Sequence, residues 1–307
     1  MVKVKIPATS ANIGSGFDAL GLAVTLYNYV FMDEYDGIQI NALDGVPIPN
    51  DETNLVYTTA KSLYELCGKP FHGLRIYQEN NIPMARGLGS SSACIIGGLL
   101  GANELLGNPL SRNEIVDMAA RMEGHPDNST PALVGGLVTA VLTDCGKVHY
   151  LKQEIKHDLR FVTFIPDFEL RTSVARAALP KEISHRDAVF NLSRSALMSV
   201  SLYSGNYQNL RVAADDRLHQ PYRLHLIKGA EQVFDLSYEL GAYAAYISGA
   251  GSTLMAIVDE KITDFEDKAR SALHDMGYGA WRIKTLEIDN DGAQLFYKSF
   301  LCSYRKY

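Results

Sequence analysis

The segment at residues 83–93 restricts the possible fold more than any other part of this 307-residue sequence. It reads PMARGLGSSSA, and the small and apolar residues that follow it predict a buried helix beginning at Ser90. A helix N-terminus offers free backbone N–H groups and the positive end of the helix dipole, and glycines let an anion approach the backbone closely. The segment therefore predicts a phosphate-binding loop. The alternative is a tight strand-to-helix turn in which a serine caps the helix.

Two further glycine-rich segments allow weaker conclusions. Residues 14–19 (GSGFDA), with Asp36 about twenty residues beyond, resemble a dinucleotide-binding fingerprint. The context opposes that function, because several residues separate the segment from the preceding predicted strand and Asp18 would repel a pyrophosphate. Residues 248–253 (SGAGST), taken alone, predict only a turn. The GxxxxGK[ST] sequence of a Walker-type phosphate loop does not occur, which excludes that class.

Composition narrows the class of protein further. The formal net charge of −6 and the pI near 5.8 argue against a dedicated nucleic-acid binder, which needs a basic face. With 47% hydrophobic and 21% charged residues, the chain can bury a sizeable core. The first residues, MVKVKIPAT, lack the apolar region of a signal peptide, and the four cysteines contain no CxxC pair. We therefore expect a cytoplasmic protein without a disulfide scaffold or a zinc site.

The uncharged run at residues 240–258 has about the length that spans a bilayer. It contains the glycine, serine and threonine cluster at 248–253 and lacks the interfacial anchors of a membrane helix. We therefore interpret it as two buried segments around a tight loop and expect no association with a membrane.

The periodicity of apolar residues predicts strands and helices along the whole chain. Strands are predicted at residues 2–6, 22–32, 37–43, 74–77, 135–143, 159–165, 254–258 and 281–288. Helices are predicted at residues 54–67, 90–107, 111–123, 187–202, 224–240 and 263–276. These elements mix without strict βαβ alternation, which favours an α+β fold. The length predicts two domains, and a polar interruption near residues 153–158 divides the chain into residues 1–155 and 156–307.

Six motifs together resemble one known family. PATSANIGSGFDALG, PMARGLGSSSA and SGAGST resemble, in this order, the three motifs of the galacto-, homoserine, mevalonate and phosphomevalonate (GHMP) kinase superfamily. EGHPDN at 123–128, ELRTSVARAALP at 169–180 and DRLHQPYR at 216–223 resemble the homoserine kinases within it. The matches run from residue 7 to residue 257, which is most of the chain.

The resemblance implies a fold and an activity. The N-terminal domain should resemble domain 2 of ribosomal protein S5, the C-terminal domain should be ferredoxin-like, and the site should lie between them. The implied reaction transfers a phosphoryl group from ATP, with Mg²⁺, to the side-chain hydroxyl of L-homoserine, which yields O-phospho-L-homoserine on the way to threonine. Family members are commonly dimers, so we expect a homodimer whose ligands are homoserine and ATP.

The resemblance also implies which residues bind the acceptor. Homoserine carries a carboxylate, an ammonium group and a hydroxyl, and a bidentate guanidinium suits a carboxylate. Arg176 and Arg223 should hold the carboxylate and Asp127 the ammonium group. Asp18, together with Asn12, should orient the hydroxyl. The matching positions for substrate binding are Asn12, Asp18, His125, Asp127, Thr172, Arg176 and Arg223. The alternatives are solvated surface side chains for the arginines and a structural role for the histidine.

The nucleotide and the metal ion are assigned by the same resemblance. The matching positions for ATP are Asn54, Pro83, Arg86, Gly87, Leu88, Gly89, Ser90, Ser91, Ser92, Ala93, Gly249 and Gly251. Glu123 with Ser91 should hold Mg²⁺, because one carboxylate plus phosphate oxygens suits this hard ion. The alternatives are a helix N-cap for Asn54 and a solvated helix-end side chain for Glu123.

The implied mechanism is direct phosphoryl transfer through a loose transition state, in which placement and charge neutralisation matter most. The positions that match catalytic residues are Asn12, Asn128 and Arg176. Asn128 lies near the position where some superfamily members have an aspartate base, and an amide cannot accept a proton at neutral pH. We therefore predict transfer without an obligate side-chain base.

Two residues depart from the family pattern. Ser252 stands where a proline is usual, so the third loop should be more flexible. Cys94 stands where a small alanine is usual, and it should be buried and inert. Three other functions stay open: another small-molecule kinase of the superfamily, a non-catalytic nucleotide- or amino-acid-binding regulator, and a dinucleotide oxidoreductase.

Overall fold

The computed structural model of the protein describes residues 1–155 and 159–297, except for the side chain of Tyr297. The strands are β1 (Val2–Ala11), β2 (Leu20–Glu34), β3 (Gly37–Ala42), β4 (Gly73–Glu79), β5 (Leu137–Leu142), β6 (Val148–Gln153), β7 (Leu159–Ile165), β8 (Ala244–Ile247), β9 (Leu254–Asp259), β10 (Arg282–Leu286) and β11 (Gln294–Tyr297). The helices are α1 (Leu55–Leu66), α2 (Ser90–Leu105), α3 (Arg112–Glu123), α4 (Ser129–Val134), α5 (Thr172–Ala177), α6 (His185–Ser204), α7 (Leu210–Ala213), α8 (Gln220–Arg223), α9 (Ala230–Glu239) and α10 (Phe265–Asp275). Two 3₁₀ turns lie at Tyr207–Asn209 and Leu224–Leu226.

The larger sheet is built around β1 and β2. Its strands lie in the order β11–β1–β2–β4–β3, and β5 joins both β2 and β6. All its pairs are antiparallel except β3 with β4. This sheet and helices α1 to α4 together enclose most of the larger hydrophobic core.

Helix α2 lies against β1 and β2 and also contacts α1, α3 and α4. Its glycines permit that close packing. A Cβ atom at Gly98 would lie 2.6 Å from the carbonyl oxygen of Val56, and one at Gly97 would lie 2.8 Å from Cγ2 of Val30. The small and apolar residues that predict a buried helix are therefore the residues that let α2 fill the centre of this domain.

The smaller sheet contains four antiparallel strands in the order β10–β7–β9–β8. Numbered by their own sequence order, these strands run 4-1-3-2. Helices α9 and α10 pack on this sheet and against each other. This arrangement confirms the predicted α+β fold with two domains and a ferredoxin-like second sheet.

Most of the predicted elements occur in the structure, with ends that differ by a few residues. The helix predicted at 224–240 is confirmed for residues 230–239 and wrong for the residues before them. The chain forms a 3₁₀ turn at Leu224–Leu226, and Gly229 then has a φ of 90°, which a helix cannot contain, so α9 starts only at Ala230. The short strands β6, β8 and β11 and the helices α4, α5, α7 and α8 were not predicted as separate elements.

The uncharged run at 240–258 forms β8, the 248–253 loop and β9, as two buried segments around a tight loop. In residues 1–155 and 159–297, no helix has both the length and the apolar character needed to cross a bilayer. The predicted domain boundary falls partly on residues 156–158, outside the described residues. β6 belongs to the larger sheet, β7 to the smaller one, and β11 returns to the larger one. The division into residues 1–155 and 156–307 stays a prediction.

Candidate active site

A cavity of about 340 Å³ is lined by residues of both halves of the chain. The three glycine-rich segments meet at this cavity, together with residues 122–128 and with α5 and α8. The predicted site residues that line it are Asn12, Asp18, Arg86, Gly87, Gly89, Ser90, Ser91, Ser92, Glu123, His125, Asp127, Asn128, Thr172, Arg176, Arg223 and Gly249. Predicted positions outside the lining are Asn54, Pro83, Leu88, Ala93 and Gly251.

The phosphate-binding loop predicted at 83–93 ends at the start of α2. Gly87 and Gly89 have φ values of 72° and 71°, in the left-handed region that glycine tolerates. Gly89 is the N-cap residue and supplies no side-chain cap. Within residues 1–155 and 159–297, the N–H groups of the first turn of α2 therefore have no side-chain cap, and the helix dipole adds positive potential beside the cavity. This geometry suits an anion such as a phosphate.

Hydrogen bonds join the third glycine-rich segment to the phosphate-binding loop and to residues 10–12, which lead into the first segment. The Ser248 hydroxyl donates to the carbonyl oxygen of Gly87 at 2.7 Å and lies 2.8 Å from the Ser10 hydroxyl. The Asn12 side-chain amide donates to the carbonyl oxygen of Gly249 at 2.8 Å. A Cβ atom at Gly87 would lie only 2.1 Å from the Ser248 carbonyl oxygen. The third segment is thus more than a turn, because it contacts the phosphate-binding loop and the residues that lead into the first segment.

Ser252, which stands in the place of the usual proline, is buried. Its hydroxyl donates to the carbonyl oxygen of Phe168 at 2.9 Å. This hydrogen bond ties the third loop to the segment that follows β7.

The structure gives the Glu123 carboxylate a hydrogen-bond partner in Ser92, the neighbour of the predicted metal ligand Ser91. The pairing of Ser91 with Glu123 around Mg²⁺ stays a prediction. The Ser92 hydroxyl lies 2.7 and 2.8 Å from the two carboxylate oxygens of Glu123. Ser91 lines the cavity but is exposed, and no contact with Glu123 brings it to the carboxylate. Burial raises the pKa of Glu123 from 4.5 to about 7, even though the hydrogen bond from Ser92 acts in the opposite direction.

Next to this pair, Asp127 is almost fully buried and lies in a hydrogen-bonded cluster. One of its carboxylate oxygens is 2.5 Å from Nδ1 of His125 and accepts a 3.3 Å hydrogen bond from the Asn128 amide. The side-chain oxygen Oδ1 of Asn128 accepts a hydrogen bond from the Thr9 hydroxyl at 2.7 Å. Burial acts to lower the pKa of His125, but the hydrogen bond and charge of Asp127 outweigh it and raise that pKa above 6.5. Asp127 thus favours the protonated form of the His125 imidazole.

Asp18 and Arg176 form a two-point ion pair across the cavity wall. The two guanidinium N–H groups donate to the two carboxylate oxygens at 3.1 and 2.7 Å. The resemblance assigns these residues to different groups of the acceptor, whereas the structure pairs them with each other. A ligand carboxylate would have to share Arg176 with Asp18.

Asn12 also has structural partners, because its side-chain oxygen Oδ1 accepts from the backbone N–H of Asp18 at 3.0 Å. With its amide donating to Gly249, both ends of this side chain hold loops in place. Asn12 therefore positions Asp18, and its predicted contact with a hydroxyl would come in addition to this role.

Arg223 is one of the largest fully buried side chains, with 1% of its surface exposed. Its guanidinium donates to the carbonyl oxygens of Ala175 and Gly249 and contacts Nδ1 of His219. In the described parts of the chain, no carboxylate forms an ion pair with the Arg223 guanidinium. Burial, and then the charge of Arg176, lower the pKa of Arg223 from 12.5 to about 10. A buried cation without a counterion is costly, and it favours binding of an anion at the cavity.

Asn54, which was predicted to contact the nucleotide, caps a helix instead. Its side-chain oxygen caps α1 by accepting from Val56 and Tyr57, and its amide donates to Pro49 and Gln78. It is buried and does not line the cavity, so the N-cap alternative is the one that the structure supports. The side chains of Leu88 and Ala93 also lie outside the cavity lining and pack in the larger hydrophobic core.

Sequence reasoning missed the apolar part of the cavity wall, which comes from Phe17, Leu55, Ile95 and Met122. Each lies within four positions of a predicted site residue, but adjacency alone does not indicate which apolar side chain faces a cavity. Phe17 also stacks on His219, with ring centroids 5.2 Å apart.

Three other predicted residues have clear places. The Arg86 guanidinium donates to the carbonyl oxygens of Met84, Pro166 and Asp167, which joins the phosphate-binding loop to the second domain. Thr172 begins α5 and is exposed beside the cavity. Cys94 is partly buried in the structure, and burial raises the pKa of its thiol to about 11, which favours the unreactive protonated form.

Comparisons with known proteins agree with this fold. Residues 54–136 match the N-terminal domain of the GHMP kinases, and residues 198–276 match their C-terminal domain. The crystal structure of the homoserine kinase from Cytophaga hutchinsonii superimposes with a TM-score of 0.84 at 26% identity, covering 96% of this chain and 97% of that one. The fold is thus that of a GHMP-type small-molecule kinase.

Sequence relatives narrow the family. A homoserine kinase of Caldicellulosiruptor saccharolyticus is 46% identical over 309 residues, covering 100% of both chains. One of Clostridium beijerinckii is 47% identical over 298 residues, covering 96% of this chain and 98% of its own. The chain belongs to the homoserine kinase family of the GHMP kinases.

Proposed function

We propose that the protein transfers the γ-phosphoryl group of ATP to the side-chain hydroxyl of L-homoserine, giving O-phospho-L-homoserine and ADP. One observation carries the proposal. The buried cation of Arg223 and the uncapped N-terminus of α2 face the same cavity. The site therefore offers one place for a polyphosphate and a second, separate place for a carboxylate. An amino acid that carries a hydroxyl fits this pair of sites, whereas a neutral sugar leaves Arg223 without a partner.

The nucleotide should lie along the start of α2. Its phosphate oxygens would accept from the backbone N–H groups at 87–92, and the base would pack on Leu55, Ile95 and Met122. The donor set beside the phosphates fits Mg²⁺, because Glu123 and Ser92 supply a carboxylate and a hydroxyl oxygen. When bound there, the ion neutralises phosphate charge.

The acceptor should lie on the opposite side of the cavity. Arg223 and Arg176 would bind its carboxylate, and the almost fully buried Asp127 would bind its ammonium group. Asp18, held by Asn12 and Arg176, lies where it can orient the hydroxyl. These charges recognise a zwitterion and not a single anion.

Transfer should need no obligate side-chain base. Asn128 has both ends of its amide in hydrogen bonds to Thr9 and Asp127, and an amide cannot take up a proton at neutral pH. In the loose transition state of phosphoryl transfer the attacking hydroxyl has formed little bond to phosphorus, so its proton does not have to be removed early. Placement of the hydroxyl and stabilisation of phosphate charge therefore account for catalysis.

A panel of acceptors tests the proposal. The purified protein is incubated with Mg-ATP and with L-homoserine, L-serine, mevalonate or galactose, and ADP release is followed while ³¹P NMR identifies the product. We expect homoserine to have the highest kcat/KM. A higher kcat/KM for mevalonate or galactose would contradict the proposal, and ATP binding without turnover of any acceptor would support a regulator instead.

We also propose that the enzyme is a cytoplasmic homodimer that contributes to threonine biosynthesis. The family membership supports this proposal. Sedimentation equilibrium measures the assembly, and a monomer at micromolar concentration would contradict it.

A further inference from the structure

His219 belongs to the DRLHQPYR motif, in which the proposed function uses only Arg223. The His219 side chain is completely buried. Its Nε2 lies 2.7 Å from the carbonyl oxygen of Gly14, in the loop between β1 and β2, and its Nδ1 lies 3.2 Å from the guanidinium of Arg223. Phe17 of the same loop stacks on the imidazole with an interplanar angle of 22°. His219 therefore connects the loop that carries Asp18 to the arginine proposed to bind the acceptor.

The two hydrogen-bond partners define the protonation state of His219. A carbonyl oxygen only accepts, so Nε2 must carry the hydrogen that points at Gly14. A guanidinium only donates, so Nδ1 must offer a lone pair to Arg223. Together these contacts require the neutral imidazole with its proton on Nε2. A protonated ring would place an N–H group against the guanidinium.

The charged groups around the ring are consistent with this state. The Asp216 carboxylate lies 3.6 Å from Nε2 and favours a charged imidazole. That carboxylate already accepts the backbone N–H groups of residues 218–220. Burial, which acts most strongly, and the charge of Arg223 outweigh Asp216, the Gly14 hydrogen bond and Asp18, so the pKa of His219 is lowered below 6.5.

Arg223 depends on this contact for its orientation. Two of its three acceptors are backbone carbonyl oxygens, of Ala175 and Gly249, and the third is Nδ1 of His219. Among the residues that the structure describes, His219 is thus the side chain that accepts from the Arg223 guanidinium. Because a planar guanidinium recognises a carboxylate only in the correct plane, a rotation of Arg223 would weaken acceptor binding.

We infer that neutral His219 is a positioning residue that orients Arg223 for the carboxylate of the acceptor. It also keeps Arg223 in a fixed position relative to the loop that carries Phe17 and Asp18. The inference rests on the proposed function, because it concerns the acceptor side of the same site. His219 does not line the cavity, so it acts through Arg223. Loss of its Nδ1 acceptor should affect homoserine and leave ATP binding largely unchanged.

Two substitutions separate the two nitrogen atoms of the ring. In His219→Asn the side-chain oxygen can replace Nδ1 and accept from Arg223, whereas the donor to Gly14 is lost. In His219→Gln the side-chain amide can replace Nε2 and donate to Gly14, whereas the acceptor for Arg223 is lost. Both variants also lose the stacking on Phe17, so each controls for the packing defect of the other.

We expect His219→Gln to raise the KM for homoserine by about tenfold or more, the effect of losing one hydrogen bond to a charged group. His219→Asn should raise it clearly less, and the KM for ATP should change by less than about twofold in both variants. Equal KM values for homoserine in the two variants, or a parallel rise in the KM for ATP, would overturn the inference. If the unsubstituted enzyme does not phosphorylate homoserine, the proposed function fails instead.

A measurement on the unsubstituted protein covers the case in which neither variant folds. ¹⁵N NMR of the histidine side chains, with ¹⁵N-labelled histidine, distinguishes the two neutral tautomers from the protonated ring. We expect one buried histidine ring whose ¹⁵N chemical shifts stay the same between pH 6 and pH 8 and show the proton on Nε2. If every histidine is protonated at pH 6 or carries its proton on Nδ1, the inference is wrong, whatever the kinetics show.

Discussion

Replacing Glu123 with glutamine should make the ligand-free protein more stable at alkaline pH and inactive as a kinase. Glutamine has nearly the same shape and can still accept the hydrogen bond from Ser92. In the folded protein the pKa of Glu123 is raised from 4.5 to about 7, chiefly by burial. A folded-state pKa above the unfolded-state pKa contributes stability that is fully present below about pH 4.5 and is lost as the pH rises through about 7.

The size of the effect follows from these two values. At about 1.4 kcal/mol per pH unit, ionising Glu123 in the folded state costs up to about 3 kcal/mol. At pH 5.5 the folded protein keeps Glu123 protonated while the unfolded chain is ionised, so about 2 kcal/mol of stability is present. At pH 8 almost none is left. The stability gained by Glu123→Gln should therefore be larger at pH 8 than at pH 5.5 by about 2 kcal/mol.

Urea denaturation at the two pH values, with EDTA and without nucleotide, measures this difference. The exposed Glu52→Gln is the matched control, since it removes the same charge from a solvated position; its effect should differ by less than about 0.5 kcal/mol between the two pH values. The same variant of Glu123 should lose about 100-fold or more in kcat, because a carboxylate beside the phosphates is gone. An equal stability change at pH 5.5 and pH 8 would refute the reasoning.

Three further variants test separate parts of the site. Asp127→Asn should raise the KM for homoserine more than it lowers kcat; an intact KM with kcat lower by about 10³ would make Asp127 a general base. Ser92→Ala should increase the Mg²⁺ concentration needed for half-maximal activity, and Ser91→Ala should increase it less; the reverse order in a Mg²⁺ titration would contradict the assignment. Gly87→Ala should abolish ATP binding by calorimetry and destabilise the fold, because its Cβ meets a carbonyl oxygen 2.1 Å away. Gly45→Ala, equally left-handed but with open space, should cost only about 1 kcal/mol.

Local chemistry in the sequence was enough to predict the turn and the helix start of the proposed phosphate-binding loop. Glycines at 87 and 89 followed by serines and a small-residue helix have few structural solutions, and the structure has a left-handed turn that leads into α2. The capping box of Ser111 and Glu114, which opens α3, is predictable for the same reason, because both partners lie within one helical turn.

Contacts between distant parts of the chain could not be predicted in this way. Ser91 and Ser92 are neighbours in sequence, yet only the position of α3 relative to α2 determines that Ser92 faces Glu123. Asp18 and Arg176 are separated by 158 positions, and their pairing depends on how the two domains meet. The short strand β11 has too few residues to show a periodicity, and it forms because β1 offers an edge.

The proposed role of Arg223 in binding the acceptor rests on the resemblance alone. From the sequence alone an arginine is expected at the surface, and its burial follows from packing between α5 and the 248–253 loop. The same packing buries His219, which no spacing rule indicates.

A crystal structure of the protein with a non-hydrolysable ATP analogue and L-homoserine tests the central claim most directly. We expect the β- and γ-phosphates to accept hydrogen bonds from the backbone N–H groups at residues 89–92. The homoserine carboxylate should lie within about 3 Å of the Arg223 guanidinium, with the hydroxyl directed at the γ-phosphate. Phosphates bound away from the start of α2, or a homoserine carboxylate without contact to Arg223, would contradict the account.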